Sequence, residues 1–218
     1  MKIKKSFSSE LSLLIGLLLT SFANTLMVKS GLGISAISAV PYSLSFIFDK
    51  ITFGSWNYIF QSLLIVLLVT ITKKFKFQYI VSFLLSVVFG ALIDFFNLTV
   101  IQLLPDNFLL SIVYFTISFL LLAIGISLQL NCGLPILPLD TFTKDLSKFL
   151  GITYKKVKTI FDLSCLATTL FLSIIVLNTN VGLGIGTIIC ALFTGKIVSI
   201  INNFIDNKFY FKSVFYKK

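Results

Sequence analysis

Few side chains in this sequence can do chemistry, and most of the usual catalytic groups are missing. There is no histidine and no arginine; all 18 basic residues are lysines, against 8 acids. Without His, the Ser–His–Asp and Cys–His nucleophile arrangements and the usual His-ligated zinc sites are excluded. Without Arg, bidentate clamps on phosphate or carboxylate are excluded. Cys132, Cys165 and Cys190 form no CxxC pair and read as small apolar packing residues. The expectation is a protein with no enzyme activity, metal centre or cofactor. What remains is a handful of ionisable side chains in apolar surroundings: Asp94, Asp162 and Lys196 inside long apolar stretches, and Asp140 just after Pro138. If those stretches cross a bilayer, each such group is costly enough to be a functional candidate by default. Asp162 and Lys196 are expected at similar depth and within reach of one another. They would form either a structural ion pair or a proton- or ion-coupled site in which the carboxylate titrates. Asp140 is expected to cap the helix that follows it, or to line a cytoplasmic gate with Thr141 and Thr143. The amides Asn24, Gln129 and Asn131 fall in or at the ends of apolar stretches. They suit interhelical hydrogen bonds or contact with a solute.

The elements that hold these residues are set by composition. The chain has 218 residues, 57% of them hydrophobic and 12% charged, with a mean hydropathy of +1.02. A soluble domain carries about a quarter charged residues, so a soluble globule, a disordered chain and a nucleic-acid-binding domain are excluded. The class left is an all-α integral membrane protein whose first partner is the lipid bilayer. Six stretches are long enough to cross about 30 Å of hydrocarbon: residues 9–28, 52–72, 77–98, 108–130, 157–177 and 184–204. Lys2, Lys4 and Lys5 precede the first. Lys73, Lys74 and Lys76 follow the second, Lys144, Lys148, Lys155, Lys156 and Lys158 lie between the fourth and fifth, and Lys208, Lys212, Lys217 and Lys218 follow the sixth. The remaining loops hold only Lys29 and Lys50. The positive-inside rule then puts both termini in the cytoplasm of a multi-pass protein. Two further apolar segments, 31–50 and 133–150, are short and interrupted by Pro41 and by Pro135, Pro138 and Asp140. Ile34, Ile37, Leu44 and Phe48 in one, and Leu139, Phe142, Leu146 and Phe149 in the other, fall at helical spacing. They read as re-entrant or interfacial helices, the first outside and the second inside.

The two halves resemble each other. Ser30-Gly31-Leu32-Gly33-Ile34 matches Cys132-Gly133-Leu134-Pro135-Ile136, and Leu44-Ser45 matches Leu146-Ser147, at an offset of 102; Ile59-Phe60 matches Ile160-Phe161 at 101. Ser86, Gly90, Asp94 and Asn97 align with Ala191, Gly195, Ser199 and Asn202 at 105. Gln61 stands where the second half has Asp162. A single transmembrane domain, 1–218, thus divides into repeat one at about 9–104 and repeat two at about 108–206. With three spans each, the second copy must lie upside down, which is a recurring architecture of secondary transporters. The small-residue ridges Ser86/Gly90 and Ala191/Gly195 are expected to pack the third and sixth spans against each other.

The second half also carries Gly125-Ile-Ser-Leu, Gly133 through Pro138-Leu-Asp140, Thr153-Tyr-Lys-Lys-Val-Lys, Asp162, Gly182-Leu-Gly184-Ile-Gly186-Thr187 and Gly195; the first half carries Gly31-Leu-Gly33 and Gly54-Ser-Trp56. This pattern resembles the YczE/YyaS/YitT family of bacterial membrane proteins. The family shows a Gly–Pro–Asp turn, a basic stretch leading into a helix with an early acid, and a Gly-Ile-Gly-Thr motif. Leu137 before Pro138 and Ser38 in place of an acid depart from it. The resemblance implies a six-span protein of the bacterial inner membrane with a suspected role in transport. The function expected is a small-solute transporter or exporter working by alternating access between the two repeats. The alternative is a substrate-capture subunit or regulator that needs another protein, and self-association is left open.

The lysine pattern makes a direct prediction. With the three native cysteines removed, Lys74→Cys should react with a membrane-impermeant thiol reagent only from the cytoplasmic side. Labelling from outside would overturn the orientation and the inversion with it.

Overall fold

The apolar stretches fold as helices in the computed structural model, in which residues 5–179 and 181–213 are described. Lys2, Lys4, Lys217 and Lys218, used above for orientation, lie outside the described residues. In chain order the elements are strand β1 (Lys5–Ser8), α1 (Ser9–Ser30), α2 (Ala36–Ile47), α3 (Phe53–Thr72) and α4 (Gln78–Thr99). A 3-10 turn, Ile101–Leu103, leads to α5 (Phe108–Asn131), followed by α6 (Pro138–Leu150), α7 (Tyr154–Phe171), α8 (Ile185–Lys208) and strand β2 (Phe209–Lys212). A π-helical segment, Leu172–Leu177, extends α7. Six helices are long and apolar enough to span a bilayer: α1, α3, α4 with its 3-10 turn, α5, α7 with its π segment, and α8. Span five begins at Tyr154, three residues before the sequence reading placed it, because Lys155, Lys156 and Lys158 belong to the helix.

The surface is apolar, unlike that of a soluble protein, and the interior mixes apolar with polar side chains. Leu63, Val66, Leu84, Leu98, Ile174, Ile175 and Ile188 are exposed, as hydrocarbon contact requires, while Ser12, Thr20, Asn24, Gln61, Ser82, Ser86 and Gln129 are buried. Where the interior is tight it is built from small residues. Helix α1 lies along α5, and a Cβ on Gly16 would sit 2.9 Å from the Gly125 carbonyl oxygen. Helix α3 lies on α4, where a Cβ on Gly54 would strike the Gly90 carbonyl and one on Gly90 the Gly54 carbonyl. The α4 and α8 ridges therefore do not serve to pack those two helices together. Gly90 faces α3 and Gly195 faces Lys155 and Thr159 of α7, so each ridge receives the preceding long helix of its own half.

Helices α2 and α6 do not lie flat on the surface. Residues Ala36 to Pro41 are buried, while Phe46 and Phe48 are exposed; Pro138 and Asp140 to Thr143 are buried, while Phe149 and Leu150 are exposed. Each short helix enters the bundle N-terminus first. Helix α2 then contacts α7 and α6 contacts α3, so each reaches the other half. The loops that deliver them are pinned. Gly33 has φ +117°, and a side chain there would meet Thr187 and Gly184. Gly186 N–H donates to the Leu32 carbonyl at 2.8 Å, Ile34 N–H donates to Thr187 Oγ1 at 3.1 Å, and Thr187 Oγ1 donates to the Gly182 carbonyl at 2.9 Å. That locks the Gly-Ile-Gly-Thr motif onto the loop before α2.

The two strands are not expected from the sequence pattern. Lys5–Ser8 pairs in parallel with Phe209–Lys212, and Phe7 packs edge-on against Phe209 and Phe211. Both ends of the described chain thus meet on one face. Two ion pairs sort the other loops: Lys29 with Asp106 at 2.7 Å, and Lys76 with Asp145 at 2.6 Å. Each joins segments that the lysine pattern assigns to the same side.

Contact at Gly54/Gly90 leaves no room for a methyl group, whereas a Cβ on Gly195 would stand 3.2 Å from the Lys155 carbonyl. Gly90→Ala should therefore lower thermal stability in detergent strongly, by about 1–3 kcal/mol, and Gly195→Ala only slightly. Equal losses would contradict this packing.

Candidate functional site

Charged groups converge at one point in the interior. Helix α7 carries Lys158 and Asp162 one turn apart, a spacing that places both side chains on one face. Their ion pair measures 2.6 Å, and both side chains are 1% exposed. Asp140, in the first turn of α6, is equally buried and feels Lys158, Asp162 and Lys144, with the Tyr154 hydroxyl beside it. Asp140 lies outside the six long helices. Burial pushes its carboxyl up to about 6; Lys158 pulls it down, Asp162 pushes it further up, and Lys144 and the Tyr154 hydroxyl pull it down. It is not the cap expected from the sequence. Leu137 holds the N-cap position and Pro138 opens the helix, which leaves Asp140 in the first turn, where the helix dipole favours a negative charge.

Asp140 and Lys158 border a small cavity of about 30 Å³, enough for a water molecule or an ion. Its wall takes Thr20 and Asn24 from α1, Ser35 ahead of α2 and Ser38 within it, Asn57 and Gln61 from α3, Asp140 from α6 and Lys158 from α7. Three acceptor atoms on this wall have no hydrogen-bond partner: Asn24 Oδ1, Gln61 Oε1 and Asp140 Oδ1. Asn24 Nδ2 donates to the Thr20 carbonyl at 2.8 Å and Asn57 Nδ2 to the Phe53 carbonyl at 3.1 Å, so these amides are oriented by their own helices. Gln129 lies beside the wall and ties α5 to α1, its Nε2 donating to Thr20 Oγ1 at 3.2 Å.

Asn24, Gln61, Asp140 and Asp162 are thus brought together, with Gln129 adjacent. Two candidates are not. Lys196 is exposed, and Asp162 pairs with Lys158. The expected Asp162–Lys196 pair is replaced because Lys158, one helical turn before Asp162, already supplies the counter-charge inside the bundle. Asp94 is a brace between helices: Thr52 Oγ1 donates to it at 2.7 Å and the Gly54 N–H at 2.9 Å, so its charge sits at the N-terminus of α3. Asn131 bonds Asn202, also away from the cavity.

Lys158 and Asn57 were missed by the sequence reading. Lys158 was counted with a basic loop, Lys155-Lys156-Val157-Lys158. Its separation of four from Asp162 was the signal that sets it apart from its neighbours. Asn57 precedes Gln61 by the same interval.

Two of the larger recesses lie at the loops that lead into α2 and α6. One, of about 220 Å³, is bordered by Gly31, Ile34, Tyr42, Phe46 and Gly182. The other, of about 140 Å³, is bordered by Lys76, Gly133, Ile136, Lys144, Asp145 and Lys148.

The buried pair predicts strong coupling. Lys158→Met strands Asp162 and should cost on the order of 3 kcal/mol, and Asp162→Leu alone should cost a similar amount. The double variant should recover most of either loss in thermal unfolding. Additive losses would show that the two side chains do not depend on each other.

The chain is 27% identical over 205 residues to "Uncharacterized protein YyaS" of Bacillus subtilis (strain 168), covering 91% of this chain and 94% of that one. It is 27% identical over 184 residues to "Uncharacterized membrane protein YczE" of the same organism, covering 84% and 80%. No solved structure matches. Six apolar helices of spanning length and a relative named as a membrane protein make this chain an integral membrane protein. The family of unknown function DUF6198 matches residues 7–203, nearly the whole length, and the chain belongs to that family, with YyaS-type and YczE-type relatives.

Proposed function

We propose that this protein is a small-solute transporter or exporter of the bacterial cytoplasmic membrane, working by alternating access between two inverted three-span repeats. Both termini are cytoplasmic in this reading. The observation that carries it is the composition of the cavity wall. At the offsets that align the two halves, Thr20 corresponds to Leu122, Asn24 to Ile126, Ser35 to Leu137, Ile37 to Leu139, Ser38 to Asp140 and Asn57 to Lys158; every one of these residues borders the same cavity. Sites at a repeat interface near the midplane, beside broken helices, are where such transporters hold their cargo.

Helix contacts support the same relation. With α1 exchanged for α5, α2 for α6, α3 for α7 and α4 for α8, the contact α3–α6 becomes α7–α2, α1–α4 becomes α5–α8, and α2–α8 becomes α6–α4; all of these are made. The two recesses correspond as well. Gly31, Ile34, Tyr42 and Phe46 of one align with Gly133, Ile136, Lys144 and Lys148 of the other. An access route on each side of a closed centre is what alternating access needs. The outer route is aromatic and the inner one cationic.

The test is flux by the purified protein in liposomes across a panel of small metabolites, together with thiol accessibility at Tyr42→Cys and Lys144→Cys in a cysteine-free background. A transported solute should raise reactivity at one position while lowering it at the other. Accessibility that never changes, with no solute moved, would favour a non-transporting subunit that acts with another protein.

A further inference from the structure

The central cavity has a charge and hydrogen-bond imbalance that its own walls do not resolve. Lys158 is committed to Asp162 at 2.6 Å, which leaves Asp140 as an excess buried carboxylate. Lys144 lies further along the same helix, and α7 contributes Lys158, Asp162 and the Tyr154 hydroxyl. Helix α3 presents Asn57 and Gln61 to the cavity, neither of them charged. The α6 dipole offsets part of the Asp140 charge but supplies no donor to Asp140 Oδ1, which is unpartnered along with Asn24 Oδ1 and Gln61 Oε1. These three residues are at most 2% exposed and come from three different helices. Every unpartnered side-chain atom on this wall, among the described residues, is an acceptor, and beside it the unpartnered Tyr154 hydroxyl offers Asp140 a single donor. A buried carboxylate that Lys158 and Lys144 compensate only in part, and orphaned acceptors, are both expensive. A small cation removes both penalties, and a volume of about 30 Å³ is enough to hold an ion.

We infer that this cavity binds one monovalent cation against Asp140, with Gln61 and Asn24 as the accompanying acceptors, supplied either as a proton or as a sodium ion. The fold itself does not demand the charge: at the aligned positions the first half carries Ser38, Asn57 and Gln61 where the second carries Asp140, Lys158 and Asp162. The negative excess is a property added to one half only. In a transporter this is the coupling ion, a role that rests on the function proposed above; the binding does not.

The experiment is thermal unfolding of the purified full-length protein in detergent. One arm exchanges choline chloride for sodium chloride at constant ionic strength and fixed pH. The other lowers pH from about 8 to about 5 without sodium. A bound cation stabilises the state that binds it, so the wild type should gain stability in one arm, and the arm that responds identifies the ion. Asp140→Asn, and Asp140→Ser as a second variant bearing the first half's residue, should lose that gain. Gln61→Leu should weaken the half-effect concentration by about tenfold, the value of one charge-assisted contact, and serves where the Asp140 variants do not fold. A wild type indifferent to both arms, or variants that respond as the wild type does, would overturn the site. Solute flux in liposomes without an Asp140-dependent response would retire the cation site and keep transport. The response without flux would keep the site and retire transport.

Discussion

Hydrocarbon outside the bundle is the constraint on which the rest of this structure depends. With Leu63, Val66, Ile174 and Ile188 facing out, a polar group must be satisfied within the protein: Asn24, Gln61, Gln129, Lys158 and Asp162 are turned inward, and the exposed hydroxyls of Thr70, Thr116 and Thr168 donate to carbonyls of their own helices. Burial of apolar area gives no net drive for helix association in such a setting, and close backbone contact takes its place. The Gly16–Gly125 and Gly54–Gly90 approaches are that contact. The ion pair on α7 follows from the same constraint. Lys158 and Asp162 occupy one face of one helix, so the helix carries its own neutralisation into the membrane before any partner docks. On α6 Lys144 stands one turn after Asp140 but donates to the Leu130 carbonyl at 3.4 Å, so Asp140 depends more on its surroundings.

Most of the fold was legible because hydropathy and length are sufficient to find spans. Each of the six helices lies within a few residues of its expected bounds, and Pro41, Pro138 and Asp140 marked the two short helices. Their depth was not legible. Ile34 and Ile37 are buried while Phe48 of the same spacing is exposed. A helix that enters end first changes environment along its axis, and a periodicity rule assumes it changes around the axis. The strands escaped notice because four residues in lysine-rich tails, Lys5–Ser8 and Phe209–Lys212, carry no pattern long enough to read. At the site, Asn24, Gln61, Asp140 and Asp162 were found as polar residues in apolar settings. The partner of Asp162 was misassigned because hydropathy sets Lys158 in a basic run and Lys196 in a span. In the folded chain the first is buried and the second exposed. Only the four-residue spacing from Asp162 tells Lys158 apart from its basic neighbours.

The motif Gly182-Leu-Gly184-Ile-Gly186-Thr187 shows how a sequence signature can be structural and still serve the site. Its glycines let the chain before α8 touch the Leu32 and Gly33 backbone, and the Thr187 hydroxyl holds Ile34 in place. Ser35 and Ser38, which follow at once, border the cavity. The motif therefore fixes where α2 begins, and the start of α2 is one wall of the site.

The pairing of β1 with β2 gives the molecule a connectivity that the linear chain lacks. On one face, α4 passes to α5 through residues 100–107, next to the Lys29–Asp106 ion pair. On the face where the ends of the described chain meet, α8 is held to α1 by four residues of parallel strand and the Phe7 aromatic contacts. The eight helices thus form a closed circuit, sealed once by peptide bonds and once by hydrogen bonds. A circle has no obligatory starting point: joining the two tails and reopening the chain between α4 and α5 would yield a circular permutant with the same neighbours throughout.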